Sequence, residues 1–114
     1  MFGRKKIAEE WCDKGVAFCE LGKYGKGFEC FDESLQINPN FAKVWYSEGS
    51  IFGKLGKHKE AIECFDEVLK INPDHEKALY SKGASFFELG KGEEAYKCFD
   101  KVKEIESNDE IYKK

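Results

Sequence analysis

The sequence contains little of several features that mark particular classes of protein. It has two prolines and two histidines, and no apolar run approaches the ~20 residues that a membrane span needs. The opening MFGRKKIAEEW is charged but has no apolar stretch behind it, so it does not resemble a signal peptide. The net charge is -3, which argues against a nucleic-acid-binding surface. These absences favour one cytoplasmic domain, 1–114, with neither a membrane nor a nucleic acid as its partner.

The five cysteines do not fit a closed disulfide framework, because their number is odd. Cys30, Cys64 and Cys98 recur at the same place in a repeating pattern, and equivalent points of stacked helices lie about 10 Å apart, beyond disulfide reach. We interpret them as reduced packing residues. Neither histidine lies at ligand spacing from a cysteine, and no phosphate-binding glycine loop is present. The sequence therefore predicts no catalytic residue, no metal and no cofactor.

One string of residues recurs along the chain. ECFDESLQINPN begins at Glu29, ECFDEVLKINPD begins at Glu63, and the less similar KCFDKVKEIESN begins at Lys97. The interval is 34 residues each time, and a fixed period of this size indicates stacked structural units. The chain is accordingly divided into repeat one at 8–41, repeat two at 42–75, repeat three at 76–109, and 110–114 as a tail or the start of a capping helix.

Repeat two shows what one unit is. Two stripes of residues fall at i, i+4 and i+7: Trp45, Gly49 and Phe52, then Ala61, Phe65 and Val68. Such spacing predicts two amphipathic helices. Gly56 between them can adopt the left-handed conformation that ends a helix, and the second helix begins near Lys59 and ends at Ile71 before Asn-Pro. Each repeat is therefore predicted to be an antiparallel helix pair, with Gly49 facing Ala61.

This pattern resembles the tetratricopeptide repeat, whose signature is W-x₂-L-G-x₂-Y, then G, then A-x₃-F-x₂-A and P. The resemblance covers residues 8 to 109 and implies an all-α, right-handed α-solenoid of three antiparallel helix pairs. Some positions depart from the signature: Lys14, Glu48 and Lys82 replace the leucine, Gly27 replaces an alanine, and Ser107 stands where Pro39 and Pro73 predict a proline.

In that family the first helix of each pair lines a concave wall that usually holds a peptide. The corresponding positions here are Glu9, Cys12, Val16, Cys19, Lys43, Tyr46, Ser50, Lys54, Lys77, Tyr80, Ala84 and Phe87. Among them Tyr46, Tyr80 and Phe87 are expected to be aromatic anchors. Lys43 and Lys77, in register at the edge, are expected to favour acidic peptides.

The resemblance thus implies a non-enzymatic interaction module that binds a segment of another protein, whose identity stays open. The alternative is a structural or self-association scaffold. One subclass of the family binds the acidic C-termini of chaperones with lysine, asparagine and arginine at five places. Those places here are Cys12, Val16, Ser47, Lys77 and Ser81. Only the lysine fits, so chaperone binding is not expected.

The two ends of the repeat array differ from its middle. Val44 and Ala78 hold the position that faces the preceding repeat, where repeat one has Glu10. Leu35 and Leu69 hold the position that faces the next repeat, where repeat three has Lys103. Charged residues on terminal faces keep a repeat array soluble, so the pattern favours a monomer.

The residues after repeat three have two interpretations. A helix cap at Ser107 or Asn108 would start a short helix whose Ile111 and Tyr112 cover the end of the stack. The alternative is that Tyr96, Phe99 and Ile105 stay exposed and drive homodimer formation.

Overall fold

The structure, a computed structural model, describes the backbone of residues 2–113 and the side chains of residues 3 and 6–109. The described residues form six helices joined by short turns. They are α1 (Phe2–Glu20), α2 (Tyr24–Ile37), α3 (Ala42–Lys54), α4 (His58–Ile71), α5 (Glu76–Glu88) and α6 (Gly92–Lys113). Each odd-numbered helix packs most closely against the helix that follows it, so the chain is a row of three helix pairs with extents of 39 × 35 × 20 Å.

The turn inside each pair has the predicted glycine geometry. Gly22, Gly56 and Gly90 have φ values of 78°, 78° and 77°, which confirms the left-handed conformation expected from the sequence. In each turn the amide of the next lysine donates back to a phenylalanine carbonyl, as Lys57 N does to Phe52 O over 2.8 Å. This is the bonding of a Schellman motif, which satisfies a carbonyl at the end of the first helix. The second helix of repeat two begins at His58, one residue before its predicted start.

The close contact within each pair is formed by a glycine and a phenylalanine. A Cβ atom added to Gly49 would lie 2.8 Å from Phe65 Cε1, and one added to Gly83 would lie 2.6 Å from Phe99 Cε1. The atoms nearest to Gly49 belong to Phe65 and Cys64, and the contact of Gly49 with Ala61 stays a prediction. In repeat one the equivalent Gly15 lies against both the Phe31 ring and the backbone of Gly27, so the ring fills the space beside the glycine while the two helix backbones approach closely.

The pairs are joined by two apolar clusters. One contains Phe31, Val44 and Ile51, with Phe28 and Leu35 packed against it, and so connects repeat one to repeat two. The other connects repeat two to repeat three. Its buried members are Ala61, Phe65, Val68 and Ala78. Because these clusters span the junctions, a single helix pair cannot bury its own apolar face, and the row is stable only as a stack.

The third pair ends differently from the prediction. No helix cap forms at Ser107 or Asn108, because α6 continues without interruption from Gly92 to Lys113. The physical reason is the missing proline: Ser107 has the backbone N–H that Pro39 and Pro73 lack, so nothing stops the helix after Ile105. The predicted covering role of Ile111 and Tyr112 lies outside the described side chains.

Candidate functional site

The odd-numbered helices α1, α3 and α5 lie side by side and form one wall, on which the predicted site residues fall. On α5, Lys77, Tyr80, Ala84 and Phe87 are all exposed and lie on one stripe of the helix. Tyr80 is 62% exposed and Phe87 is 68% exposed. Two large aromatic side chains in water on one stripe are costly to leave uncovered, and such a patch is typical of a binding surface.

The ring of each tyrosine packs against a phenylalanine of the second helix in its own pair, and Tyr46 also packs against His75 at the start of α5. The Tyr46 ring lies 5.8 Å from Phe65 and 5.5 Å from His75, measured between ring centroids. The Tyr80 ring lies 5.3 Å from Phe99. Packing of this kind restricts the rotamers of both side chains before any ligand arrives, so less conformational entropy is lost on binding. Tyr46 is only partly exposed, so Tyr80 is the more accessible of the two rings.

The part of the predicted site on α1 is largely core. Cys12 is 0% exposed and Cys19 is 7% exposed, and Val16 packs against the same apolar cluster. These three side chains support Phe31 and the face of α3, and the two cysteines offer little surface to a ligand. Of the predicted α1 residues only Glu9 is exposed.

The lysine at the edge of α3 is already paired. Lys43 Nζ donates to Asp13 Oδ1 over 3.2 Å and lies 3.9 Å from Glu9 Oε1. The hydrogen bond to Asp13 raises the pKa of Lys43, with smaller contributions from the nearby carboxylates. The expectation that Lys43 attracts acidic ligands is weakened by this pairing, because two carboxylates oppose its charge. Lys54 and Lys77 remain exposed on the same wall.

Two hollows open at the seams between the wall helices, at the end where the first helix of each pair stops. The hollow between α1 and α3 has a volume of about 350 Å³ and includes Val16, Tyr24 and Lys54. The hollow between α3 and α5 has a volume of about 290 Å³. Its floor is Phe65 and its sides are mostly small residues: Ser50, Gly53, Ser81, Ala84 and Ser85.

Sequence reasoning missed the residues that the second helices contribute to these hollows. Tyr24 and His58 begin α2 and α4, and each lines one hollow. The glycine turn carried the signal, since it places the start of the second helix beside the end of the first. His58 Nδ1 is buried and has no hydrogen-bond partner among the described residues, so a ligand donor or acceptor can pair with it.

A third hollow of about 300 Å³ lies at the opposite end of the wall. It is bordered by Tyr46, Lys77 and Tyr80, and α6 contributes Val102 and Glu106 to it. Glu76 also borders it, and its Oε1 atom is buried without a hydrogen-bond partner among the residues that the structure describes. These three depressions on the described part of the wall combine aromatic or apolar surface with polar groups at their rims.

The five cysteines are buried free thiols. Burial raises the pKa of Cys64 to about 12, helped by Glu48 and other carboxylates, and burial also raises the pKa values of Cys12, Cys19 and Cys98. A thiol must ionise to act as a nucleophile, so these positions are poorly suited to catalysis. Within the described residues no three histidine, cysteine or carboxylate side chains cluster as a metal site would require. In the same part of the chain no helix is long and apolar enough to span a membrane.

Comparison with known families gives the class of protein. Residues 8–41, 42–75 and 76–109 each match the tetratricopeptide repeat. The chain belongs to the tetratricopeptide repeat family, as the sequence pattern predicted, and its fold is the expected all-α solenoid of three helix pairs. No curated protein gives a significant match to the chain.

Solved structures of the same architecture include MamA and RPAP3. A crystal structure of MamA is 25% identical with a TM-score of 0.86, and the match covers 95% of this chain and 63% of MamA. The first TPR of Spaghetti (RPAP3), bound to the HSP90 peptide SRMEEVD, is 27% identical with a TM-score of 0.81. That match covers 91% of this chain and 82% of the RPAP3 chain. The human RPAP3 domain solved by NMR has the same identity and a TM-score of 0.80.

Proposed function

We propose that this chain is a protein–protein interaction module that binds a peptide segment of a partner along the wall formed by α1, α3 and α5. The observation that carries the proposal is the exposed aromatic stripe of α5, where Tyr80 and Phe87 are 62% and 68% exposed beside the hollow at Ala84. Exposed rings with few rotamers, next to depressions that accept side chains, suit an extended peptide. The contact residues of this proposal are Tyr46, Ser50, Lys54, Lys77, Tyr80, Ala84 and Phe87, with Glu9 and Val16 at the margin.

The RPAP3 domain supports a peptide as the ligand, since it is bound to SRMEEVD in a chain 27% identical to this one. The chemistry of the peptide differs in our proposal. Of the five clamp positions, Cys12 is buried, Ser47 and Ser81 carry no charge, and Lys77 is the one cation. We propose a ligand whose apolar side chains fill the seam hollows, with one acidic group facing Lys77, and not a ligand recognised mainly through a terminal carboxylate.

The five buried thiols are consistent with a reducing compartment, and we propose the cytoplasm as the location. Tetratricopeptide repeats generally serve as interaction modules without catalysis, and we propose the same for this chain.

The experiment is selection of peptides from a random library followed by affinity measurement with a fluorescent copy of the best binder. We expect Tyr80→Ala and Phe87→Ala each to weaken binding by roughly 5- to 30-fold, the usual loss for an aromatic anchor. Tyr96→Ala is the matched control, because Tyr96 is 65% exposed but lies on α6, away from the wall. Equal affinity for wild type and both wall variants would contradict the proposal.

A further inference from the structure

Contacts at the two interior junctions show which positions of neighbouring repeats meet. The ion pair among them belongs to the junction of repeats two and three, since the equivalent residues of the other junction are the like-charged Asp32 and Glu48. Phe28 of α2 stacks on Phe52 of α3 with ring centroids 4.9 Å apart. Asp66 of α4 pairs with Lys82 of α5 over 2.6 Å. Leu35 packs against the cluster that contains Val44, which is a third pair of positions. These three contacts define how the second helix of one repeat receives the first helix of the next.

The two ends of the molecule carry the same positions without a neighbouring repeat. At the N-terminal end Lys14 Nζ lies 5.1 Å from the Trp11 ring centroid and Lys26 Nζ lies 5.8 Å from the Phe18 ring centroid. The positions of repeat three that are equivalent to Phe28, Asp66 and Leu35, one or two repeats of 34 residues further on, are Tyr96, Asp100 and Lys103 on α6. The positions of repeat one that are equivalent to Phe52, Lys82 and Val44, one or two repeats further back, are Phe18, Lys14 and Glu10 on α1. Tyr96 is 65% exposed, and Asp100, Lys103, Glu10 and Lys14 are exposed too.

If the α6 end of one copy lay against the α1 end of another in the order of the interior junctions, the two ends would be complementary. Tyr96 of one copy would face Phe18 of the other, which is an aromatic pair like Phe28 and Phe52. Asp100 meets Lys14, with the same charges as the Asp66–Lys82 ion pair. Lys103 meets Glu10, a pair of opposite charges where the interior has apolar residues. Taken one at a time, Glu10 and Lys103 are end residues that keep a monomer soluble, but as a pair they attract.

We propose that copies of this chain associate head to tail, with the α6 face of one copy seated on the α1 face of the next, continuing the repeat order across the junction. The C-terminal face is the outer side of α6 at Tyr96, Asp100 and Lys103. The N-terminal face is the outer side of α1 at Glu10, Lys14 and Ala17.

The lengths of the terminal helices fit this arrangement. The first helix of an interior pair, such as α3, has 13 residues and α1 has 19, while the second helix α4 has 14 and α6 has 22. The two helices would run antiparallel across the junction, so both extensions project from the same end and lie beside each other. A junction between two copies has no connecting loop at that end, whereas an interior junction does. Lys6 of the α1 extension and Glu106 and Asp109 of the α6 extension are exposed and opposite in charge.

The symmetry of this contact decides the assembly. A head-to-tail contact joins two different faces, so each added copy presents a new free face and the array stays open. A dimer through Tyr96 and Phe99 alone would instead pair two identical faces and stop at two copies. The interface has polar pairs at two of three positions, so we expect weak association, with a dissociation constant of about 0.1–1 mM that rises with salt.

The first test is sedimentation velocity of the 114-residue chain over a concentration series at low and high salt. We expect the weight-average mass to rise beyond that of a dimer with concentration and to fall with salt. Lys103→Glu and Glu10→Lys should each weaken association by at least about fivefold, since each places like charges together. An equimolar mixture of the two variants restores opposite charges at every junction and should recover association. A mass that stays at the monomer value, or a mixture that fails to recover, would overturn the proposal.

The second test separates a head-to-tail array from a dimer of identical faces. Tyr96→Lys blocks the C-terminal face, and Ala17→Lys blocks the N-terminal face, where the equivalent Ile51 and Ser85 are buried. Both residues are exposed, so circular dichroism is expected to show folded proteins. We expect each variant alone to be a monomer and their mixture to form a 1:1 dimer. Dimers of Ala17→Lys alone would show that two C-terminal faces pair with each other, and would overturn the head-to-tail order.

Discussion

At the residue scale, Glu48 is the side chain most out of place in the stack. It lies on α3 where the family pattern has leucine, and it is only partly exposed. Burial raises the pKa of Glu48 from 4.5 to about 7, and the nearby Asp32 on α2 adds to the shift. Its negative charge also helps to raise the pKa values of Cys19 on α1 and Cys64 on α4. The folded state therefore favours protonated Glu48.

This shift makes stability depend on pH with a definite sign. Below pH ~4.5 Glu48 is protonated in both the folded and the unfolded state, so its ionisation does not lower the free energy of unfolding. As the pH rises through the window from 4.5 to about 7, only the unfolded state ionises freely, so folding stability falls. Because the side chain is partly exposed to solvent, we expect a loss of about 1–2 kcal/mol, less than the full shift would give.

We predict that Glu48→Gln raises the free energy of unfolding by about 1–2 kcal/mol at pH 8 and changes it little at pH 4. Urea unfolding followed by circular dichroism at both pH values measures the difference. The control is Glu33→Gln, which removes a carboxyl group from the exposed face of α2. An equal gain at both pH values would show that the ionisation of Glu48 is not the cause.

A second residue-scale prediction concerns Gly49. A Cβ atom there would lie 2.8 Å from Phe65 Cε1 and 3.0 Å from Cys64 Cβ, closer than packed atoms allow. We expect Gly49→Ala to cost about 1–3 kcal/mol by overpacking, in spite of the better helix propensity of alanine. Gly25→Ala is the control, because nothing lies within 4 Å of its added Cβ atom. A melting temperature of Gly49→Ala at or above that of wild type would contradict the close contact.

At the element scale, the two repeat junctions are built differently. Helix α5 approaches α4 more closely than α3 approaches α2. The faces explain this: α5 presents Ala78 and Ser85, whereas α3 presents the larger Val44 and Ile51 at the equivalent positions. Charge acts in the same direction, since Lys82 pairs with Asp66 at one junction while Glu48 faces Asp32 at the other.

The Lys82–Asp66 pair predicts how to strengthen the weaker junction. We expect Glu48→Lys to stabilise the chain at pH 7 by more than Glu48→Gln, because it recreates with Asp32 the ion pair that Lys82 forms over 2.6 Å. A double-mutant cycle with Asp32→Asn should give a coupling energy of about 0.5–1 kcal/mol. A coupling energy of zero would mean that position 48 does not reach Asp32.

The C-terminal helix gives another prediction at this scale. Ser107→Pro should end α6 near Ile105, as the prolines after α2 and α4 help to do, and should remove about two turns of helix. Circular dichroism should then show less helix than in Ser107→Ala, which keeps the backbone N–H and serves as the control. Equal helical content in the two variants would show that the segment after residue 106 is not helical in solution.

Much of this architecture was predictable, because period and turn chemistry are local. The spacing of Trp45, Gly49 and Phe52 and the turn at Gly56 are read directly from the sequence. How deeply a side chain is buried depends on residues that are distant in the sequence. Cys12 holds a wall position in the repeat, but Phe31 of α2 and Val44 of α3 bury it. The pairing of Lys43 with Asp13 joins two helices 30 residues apart, so the sequence alone did not reveal it. The continuation of α6 was predictable from Ser107 and was missed.

At the scale of the whole molecule, three helix pairs form a wall whose rigidity comes from the clusters that span both junctions. We propose that 1–114 folds as one domain for this reason. The stabilising residues and the proposed binding residues are largely separate: Phe31 and Phe65 are buried, while Tyr80 and Phe87 face solvent. Substitution on the wall should therefore change binding without unfolding the chain.

We propose that a peptide binds along the wall of α1, α3 and α5. The most direct measurement is an NMR titration of the isotopically labelled chain with the best peptide from the library. We predict that the largest amide shift changes fall on α3 and α5, around Ser50, Tyr80 and Phe87. Shift changes concentrated on the outer faces of α2 and α4, around Glu33 and Glu67, would show that the peptide does not bind to the wall.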